Sequence, residues 1–433
     1  MTTTTAPPAT VRWPRPFRYV YAANLAESLG HQVGFLSVPV LAVSVLAATP
    51  GQVGLLAVLG TAAFLVIGLP AGVWVDRSSH RTVMITADLA RAALYASIPL
   101  AWWADALTIG QLYVVVLLTG VGTVFGDVAA QSFLPELVGR DRLVAANSLL
   151  VTTNATVQIG GRGFGGLLVQ WLGAPLALVL NAATHLLSAL ALTRVRPSGA
   201  AVPGRDRPAG GFGRQLAEGV RHVLGNPLLR PLVVSLAGIN LTVNLMTTML
   251  PVVFLRELGL GAGVLGLFLG AGGVGALLGA VTARPLAARI GHGRALWLPG
   301  LLVAPAGALV ALVDTGGWLW LAGFGWLALA WRTGIGNVIG VSLRQQVTPD
   351  ALLGRMNATF RFLLTGAIAV GAGLAGLLGQ YASPRTSLWI GAIGAALAWL
   401  PVFRSPLRAL TDPATLPAVD RAGGHPTLDQ VAR

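Results

Sequence analysis

The sequence predicts an all-α polytopic membrane protein, with twelve transmembrane helices arranged as two six-helix bundles. Three observations carry that prediction. Hydrophobic residues make up 55% of the 433 residues and charged residues only 10%, against roughly 25% charged in a soluble globular domain. All 29 basic residues are arginine, and they stand in short clusters between long neutral runs. Two loop sequences recur in the second half at nearly one offset. The mean hydropathy of +0.73 excludes a disordered chain. The net charge of +14, distributed in this way, is a topology signal and not a nucleic-acid footprint. The absence of cysteine excludes disulfides, zinc fingers and iron–sulfur clusters, and the six histidines form no HExxH pair. No metal site is read.

A helix needs about 20 mostly apolar residues to cross a hydrocarbon core of about 30 Å. The first run follows Arg18 and ends near Ala48, interrupted only by Glu27. The turn Thr49-Pro50-Gly51 leads into a second, which lasts to Val75. Arg77 and Arg81 mark a loop. The third span runs from about Thr82 to Trp103 and the fourth from about Thr108 to Gln131. A charged loop, Glu136–Arg142, precedes the fifth, from about Ala145 to Trp171. Gly173-Ala174-Pro175 turns the chain into the sixth, which ends at Thr193. The second half repeats the plan, with spans near Leu232–Leu255, Val264–Ala287, Ala295–Val313, Trp318–Leu343, Thr359–Tyr381 and Thr386–Phe403.

The predicted organisation is therefore an N-terminal arm (1–17), a six-helix bundle (18–193), a basic linker (194–230), a second bundle (231–403) and a polar, disordered tail (404–433). The linker holds seven arginines and four prolines with two acids, and a short amphipathic helix is expected over Phe212–Leu224. With both termini in the cytoplasm, 23 of the 29 arginines fall inside. Only Arg256 and Arg385 fall outside, and Arg91, Arg162, Arg332 and Arg361 lie within spans. The positive-inside rule fixes that orientation, and no cleavable signal peptide is read at Met1–Thr10.

The repeat sets Asp76-Arg77-Ser78-Ser79-His80-Arg81 against Ala288-Arg289-Ile290-Gly291-His292-Gly293-Arg294. It also sets Ala145-Ala146-Asn147 against Arg355-Met356-Asn357. Such parallel repeats are typical of secondary transporters. Three stretches then resemble the major facilitator superfamily. Gly72-Val73-Trp74-Val75-Asp76-Arg77-Ser78-Ser79-His80-Arg81 is similar to that superfamily's loop motif between helices 2 and 3, with Ser79 for glycine and His80 for arginine. Gly161-Arg162-Gly163-Phe164-Gly165-Gly166 resembles the helix-5 antiporter motif, with Arg162 for proline. Leu343-Arg344-Gln345-Gln346-Val347-Thr348-Pro349, followed by Leu353-Gly354-Arg355-Met356-Asn357, resembles the macrolide-efflux and enterobactin-exporter branch.

The resemblance implies gating roles for Gly72, Asp76, Arg77 and Arg81, with Asp127 as the acid low on helix 4 that pairs with the loop arginine. Gly72 would let helix 2 approach a neighbour closely. The alternative is a topogenic loop whose arginines only hold orientation. Arg289, Arg344, Gly354 and Arg355 are the corresponding gating candidates in the second half. Gly161, Gly165 and Gly166 are expected to serve close packing or bending of helix 5.

Charges inside spans cost about 2.5–3.5 kcal/mol each on insertion scales, so they are expected to face a cavity or a partner. Glu27 lies about 13 Å into helix 1, on a stripe with Asn24 and His31. It is the first candidate for a protonatable or substrate-facing carboxylate; the alternative is a structural ion pair with Arg162 or Arg332. Asn154, Gln158 and Arg162 form a polar stripe on helix 5, Arg332 lies near mid-depth on helix 10, and Asn244 can line the cavity from helix 7. Asp88 and Arg91, three apart, are expected to pair structurally. Arg361 is expected to snorkel or to meet Asp76, and His185 to be a lone structural histidine.

The implied function is secondary active transport: proton-coupled efflux of a hydrophobic or amphipathic small molecule by alternating access. An importer or uniporter of the same fold remains open, and a polytopic membrane enzyme is the remote alternative. An ATP-driven pump is excluded at the P-loop, which cannot be built without lysine. The expected partners are a small-molecule substrate and the lipid bilayer of a bacterial inner membrane, with no nucleic acid. The chain is read as a monomer without a cofactor, driven by the proton motive force.

Overall fold

The computed structural model describes residues 13–68, 70–75, 77–195 and 212–411. Sixteen α-helices are formed among them, with a π-helical turn at Val253–Glu257 and a 3-10 turn at Pro406–Ala409. In the first bundle they are α1 (Arg15–Ser44), α2 (Pro50–Ile67), α3 (Ala71–Val75), α4 (His80–Trp103), α5 (Ile109–Val138), α6 (Arg140–Leu172) and α7 (Ala174–Thr193). The linker helix α8 (Phe212–Gly225) follows. The second bundle holds α9 (Leu229–Val252), α10 (Ala262–Ile290), α11 (His292–Leu302), α12 (Ala306–Ala311), α13 (Gly317–Gln346), α14 (Asp350–Tyr381), α15 (Pro384–Leu397) and α16 (Leu400–Phe403). Helices α2 and α3 together make one crossing, as do α11 with α12 and α15 with α16. The described chain therefore crosses twelve times, six in each bundle.

The breaks have local causes. The second crossing stops at Gly68 and resumes after Pro70, and the ninth is interrupted between Val303 and Pro305. Proline lacks the N–H that would continue the ladder. Two helices start earlier than expected. The charged loops before α6 and α14 are already helical from Arg140 and Asp350; in α6 the acid Asp141 stands in the first turn, where negative charge is favoured. Gly291, at φ 88°, caps α10 and turns the chain into α11.

The internal repeat is kept in register at several helix starts. Pro50 and Ala262 open α2 and α10, His80 and His292 open α4 and α11, and one interval along the chain separates both pairs. Arg140 and Asp350 open α6 and α14, and Ala174 and Pro384 open α7 and α15; these two pairs share an interval only slightly shorter. Each bundle packs by the same rules, and the bundles meet where α6 crosses α10 and α2 crosses α14.

Both ends of the described chain lie on one face, which also carries Arg15, Arg18, Arg77, Arg81, Arg142, Arg230, Arg289, Arg294, Arg404 and Arg408. We call it the basic face. On the far face a single apolar core runs through both bundles, from Val40, Leu41 and Val53 to Met249, Phe254 and Leu265. On the basic side the cores separate. One cluster lies within the second bundle (Leu229, Ile339, Phe360), and two lie within the first (Phe133, Leu192; Phe17, Leu134). Among the described residues, the hydrogen bonds that cross between bundles are also at the far face: Gly51 to Gln380, Gly263 to Gln170, and Arg256 to the carbonyls of Val43 and Ala48. The molecule is closed at the far face and parted at the basic face.

Candidate functional site

Nine of the crossings are long and apolar enough to span a membrane by composition alone. The three that are not, α1, α6 and α13, carry Glu27, Arg162 and Arg332. Further charges, Asp88 and Arg91 on α4, Asp127 on α5 and Arg361 on α14, lie in the more apolar helices, and the partners of all these charges show where they are used.

Glu27 meets neither Arg162 nor Arg332. Its carboxylate accepts from Nη1 of Arg91 on α4. Nη2 of the same guanidinium donates to Asp88 Oδ1 at 2.8 Å. Asp88 is further held by Ser188 Oγ at 2.6 Å and by His185 Nδ1 at 3.1 Å, both from α7. The expected Asp88–Arg91 pair is present, but it is the centre of a six-residue network joining α1, α4, α5 and α7, with Thr123 of α5 accepting from Arg91 Nη1 at 3.5 Å. His185 is therefore not alone; its ring also stacks on Tyr95 at 5.7 Å. Asp88 and Arg91 are only 1% and 3% exposed, so they are sheltered from water and held by one another. Gly122 and Gly126, one turn apart on α5, make the slot: a Cβ on either would stand 3.0 or 3.2 Å from the Arg91 side chain.

Ligand atoms of Glu27, Asp88 and His185 lie within 4.8 Å of one another. The Arg91 guanidinium sits between the two carboxylates and supplies the positive charge that a cation would bring, so the donor set does not fit a metal. A small cavity leads to Glu27 from the basic side, lined by Asn24, Met84, Leu134, Leu150 and Ser188. Two of the three predicted stripe residues, Asn24 and Glu27, share that cavity. His31 lies in the electrostatic field of Glu27, Arg91 and Arg162.

The α6 stripe faces α1. Asn154 accepts from Ser28 Oγ at 2.7 Å, Gln158 is exposed, and Arg162 stands 5.2 Å from the Phe35 ring centroid. Arg162 makes no ion pair among the described residues, and its Nε is buried without an acceptor. Gly161 and Gly165 pack on Gln32 and Val33 of α1, and Gly166 on Gly266 of α10, as expected of a close-packing motif. Asn244 donates to the Asn240 carbonyl of its own helix and is not joined to the Glu27 network.

Arg332 is not in that neighbourhood at all. It is 4% exposed and lies inside the second bundle, its guanidinium against Gly300 of α11, which Trp399 also packs against. In the repeat that pairs His80 with His292, Gly300 corresponds to Asp88, so the two bundles fill matching crevices with guanidinium groups from opposite helices. Helix face could be read from spacing, but the direction of that face could not.

Several gating expectations also change. Asp76 lies outside the described residues. Gly72 and Gly354 have open space where a Cβ would be, so neither is a site of close approach. Arg81 caps the end of α7, donating to the carbonyls of Leu192 at 2.9 Å and Thr193 at 2.7 Å, while Arg77 is exposed. Asp127 is not low on its helix, because α5 continues three further turns, to Val138. Its electrostatic neighbours are Glu27, Arg361 and Arg91, not the loop arginines. Arg361 lies 4.4 Å from the Phe64 ring centroid, across the bundle boundary. Arg355 pairs with Glu218 of α8 at 2.7 Å, Arg344 lies over Phe360 at 5.0 Å, and Arg289 is exposed.

The sequence reading missed that His185 and Ser188 belong to the site. Their spacing of three on α7 mirrors that of Asp88 and Arg91 on α4. Two polar pairs on facing stripes were the available signal.

With this geometry in place, comparison with known proteins is decisive. The sequence family described as transmembrane secretion effector matches residues 5–426. The chain belongs to that family of major facilitator transporters. It is 26% identical over 372 residues to the enterobactin exporter EntS of Escherichia coli O127:H6 (strain E2348/69 / EPEC), covering 86% of this chain and 87% of that one. It is 32% identical over 209 residues to the multidrug efflux pump Tap of Mycolicibacterium fortuitum, covering 46% of this chain and 50% of Tap. Its backbone is similar to that of a bacterial homologue of the iron transporter ferroportin in an inward-facing state, with a TM-score of 0.71, 18% identity, and coverage of 90% and 98%. This member of the transmembrane secretion effector family is a multi-pass membrane transporter of the exporter-like branch, and not an enzyme.

Proposed function

We propose that the protein is a proton-coupled exporter of a small amphipathic molecule, working by alternating access from a bacterial inner membrane. The observation that carries this reading is the Arg91 bridge between Glu27 and Asp88. Two carboxylates share one guanidinium, and a cavity opens from Glu27 toward the basic face. By the positive-inside rule the basic face is cytoplasmic, with both termini on that side. The conformation described is then inward-facing.

The chemistry follows from the charge count. With Glu27 ionised, Arg91 ties α1 to α4. A proton on Glu27 removes one charge-assisted bond, while Arg91 stays with Asp88 in the Gly122/Gly126 slot. Helix α1 is then freed from α4 on that side, and α1 also contributes Val40 and Leu41 to the far-face core that joins the bundles. One proton thus biases how α1 sits between the two faces. Proton release to the cytoplasm restores the Arg91–Glu27 pair, the state described here, and leaves the open side ready for substrate.

Arg162, on the α6 stripe facing α1, has no carboxylate partner among the described residues, which favours a neutral or anionic substrate group over a multiply charged cation. The names of the relatives supply test substrates: enterobactin and a panel of antibacterial drugs. In everted vesicles, an acid interior should drive uptake of a substrate, and an uncoupler should stop it. Glu27→Gln should lose gradient-driven accumulation while keeping downhill exchange. Wild-type accumulation by Glu27→Gln, or indifference to the uncoupler, would sink the proposal.

A further inference from the structure

We propose that Gln170 and Gln380 are a matched pair of gate residues that hold the far face shut. The inference does not depend on the substrate or on proton coupling. Gln170, on α6, accepts from the backbone N–H of Gly263 at 2.8 Å. Gln380, on α14, accepts from the backbone N–H of Gly51 at 3.2 Å. Gly263 and Gly51 lie in the first turns of α10 and α2. Those N–H groups have no acceptor within their own helix. Each glutamine therefore supplies from one bundle the acceptor that a helix start in the other bundle lacks.

The two bonds are copies of each other. Gln170 and Gln380 correspond in the repeat that pairs Arg140 with Asp350, and Gly51 and Gly263 in the one that pairs Pro50 with Ala262. One turn below each glutamine stands a glycine, Gly166 or Gly376. Nearly a turn beyond each acceptor-seeking glycine stands another, Gly54 or Gly266. A Cβ on Gly54 would meet Gly376 Cα at 2.4 Å, and one on Gly166 would meet Gly266 Cα at 2.7 Å. Each half of the gate is thus a backbone crossing with a polar rung above it, and the pseudo-two-fold axis relates the halves. The polar rung suits a gate. At the membrane surface, water can take over both the N–H and the glutamine when the face opens, so closure is held without a large opening penalty.

The rungs also require small partners. A Cβ on Gly263 would stand 2.3 Å from Gln170 Oε1, and one on Gly51 3.3 Å from Gln380 Oε1. Gly263→Ala therefore displaces the glutamine from the other side of the bond.

The chain has no cysteine, so spin labels can be placed by Trp103→Cys with Trp320→Cys. These positions lie at far-face helix ends, one in each bundle, and both are 82% exposed. Distances between labels then report the ratio of open to closed far faces in the full chain in lipid. Gln170→Ala and Gln380→Ala should each raise that ratio by roughly two- to tenfold, and the double variant by about the product. Gln170→Glu and Gln380→Glu keep an acceptor at a helix start, where negative charge is favoured, and should keep the face closed. Gly263→Ala should open it more than Gly51→Ala. Should an alanine variant fail to fold, the glutamate and glycine variants decide. The proposal is overturned if the ratio is unchanged in Gln170→Ala, if only one of the two glutamines matters, or if glutamate opens the face as alanine does.

Discussion

Replacing Gly166 by alanine tests how tightly the two bundles touch. The new Cβ would stand 2.7 Å from Gly266 Cα, 2.8 Å from the Ala262 carbonyl oxygen and 3.1 Å from Gly266 N. All three neighbours are backbone, so no side chain can rotate away. Ordinary contact begins near 3.4 Å, so α6 and α10 must part at this level or distort. Overpacking of this kind costs about 1–3 kcal/mol. The cost falls only on the closed far face, because the crossing separates when that face opens. The closed-to-open ratio should therefore fall roughly 5- to 150-fold. The double-label distance measurement on the far face reads this directly. Gly160→Ala, on the same helix with open space at its Cβ, is the control. It should leave the ratio alone and raise thermal stability slightly, by up to about 1 kcal/mol. Gly376→Ala, the symmetry-related change at 2.9 Å from Gly54 Cα, should behave like Gly166→Ala. If Gly166→Ala matches Gly160→Ala, the crossing is not the closed contact and the reasoning fails.

Other expectations concern the buried charges. Arg91→Met leaves Asp88 sheltered without its guanidinium partner, held only by Ser188 and His185, and should destabilise the protein by about 3–5 kcal/mol in detergent melts; adding Glu27→Gln and Asp88→Asn should restore much of that. Arg332→Met removes a buried guanidinium that has no carboxylate partner among the described residues, and should leave stability unchanged or raise it. A large loss in the same melts would reveal a counter-charge to Arg332. Gly122→Ala intrudes to 3.0 Å from Arg91 Cγ and should slow gradient-driven transport more than it lowers the melting temperature, since it tilts the guanidinium in its slot. Thr49→Ala removes a reciprocal cap with Gln52 at the start of α2. It should cost about 1 kcal/mol, detectable as faster amide exchange in the first turn of α2.

The sequence by itself determined the number of crossings, the duplication, the sidedness of the arginines and the presence of a costly carboxylate in α1. All of these depend on composition and spacing along one chain, and a bilayer reads them locally: apolar length for a crossing, arginine placement for orientation. Helical spacing also put Asn24, Glu27 and His31 on one stripe, and Asp88 with Arg91 on another. Only the tertiary structure decided which stripes face each other. Glu27 found Arg91 rather than Arg162, and Arg332 turned into its own bundle toward Gly300. Gln170 and Gln380 became two halves of one closure. Periodicity assigns a residue to a face, but the rotation and neighbours of each helix are set by packing across helices far apart in the chain. A carboxylate in a span costs much the same whichever arginine meets it, so composition cannot choose between partners; close glycine contacts and cross-helix hydrogen bonds can.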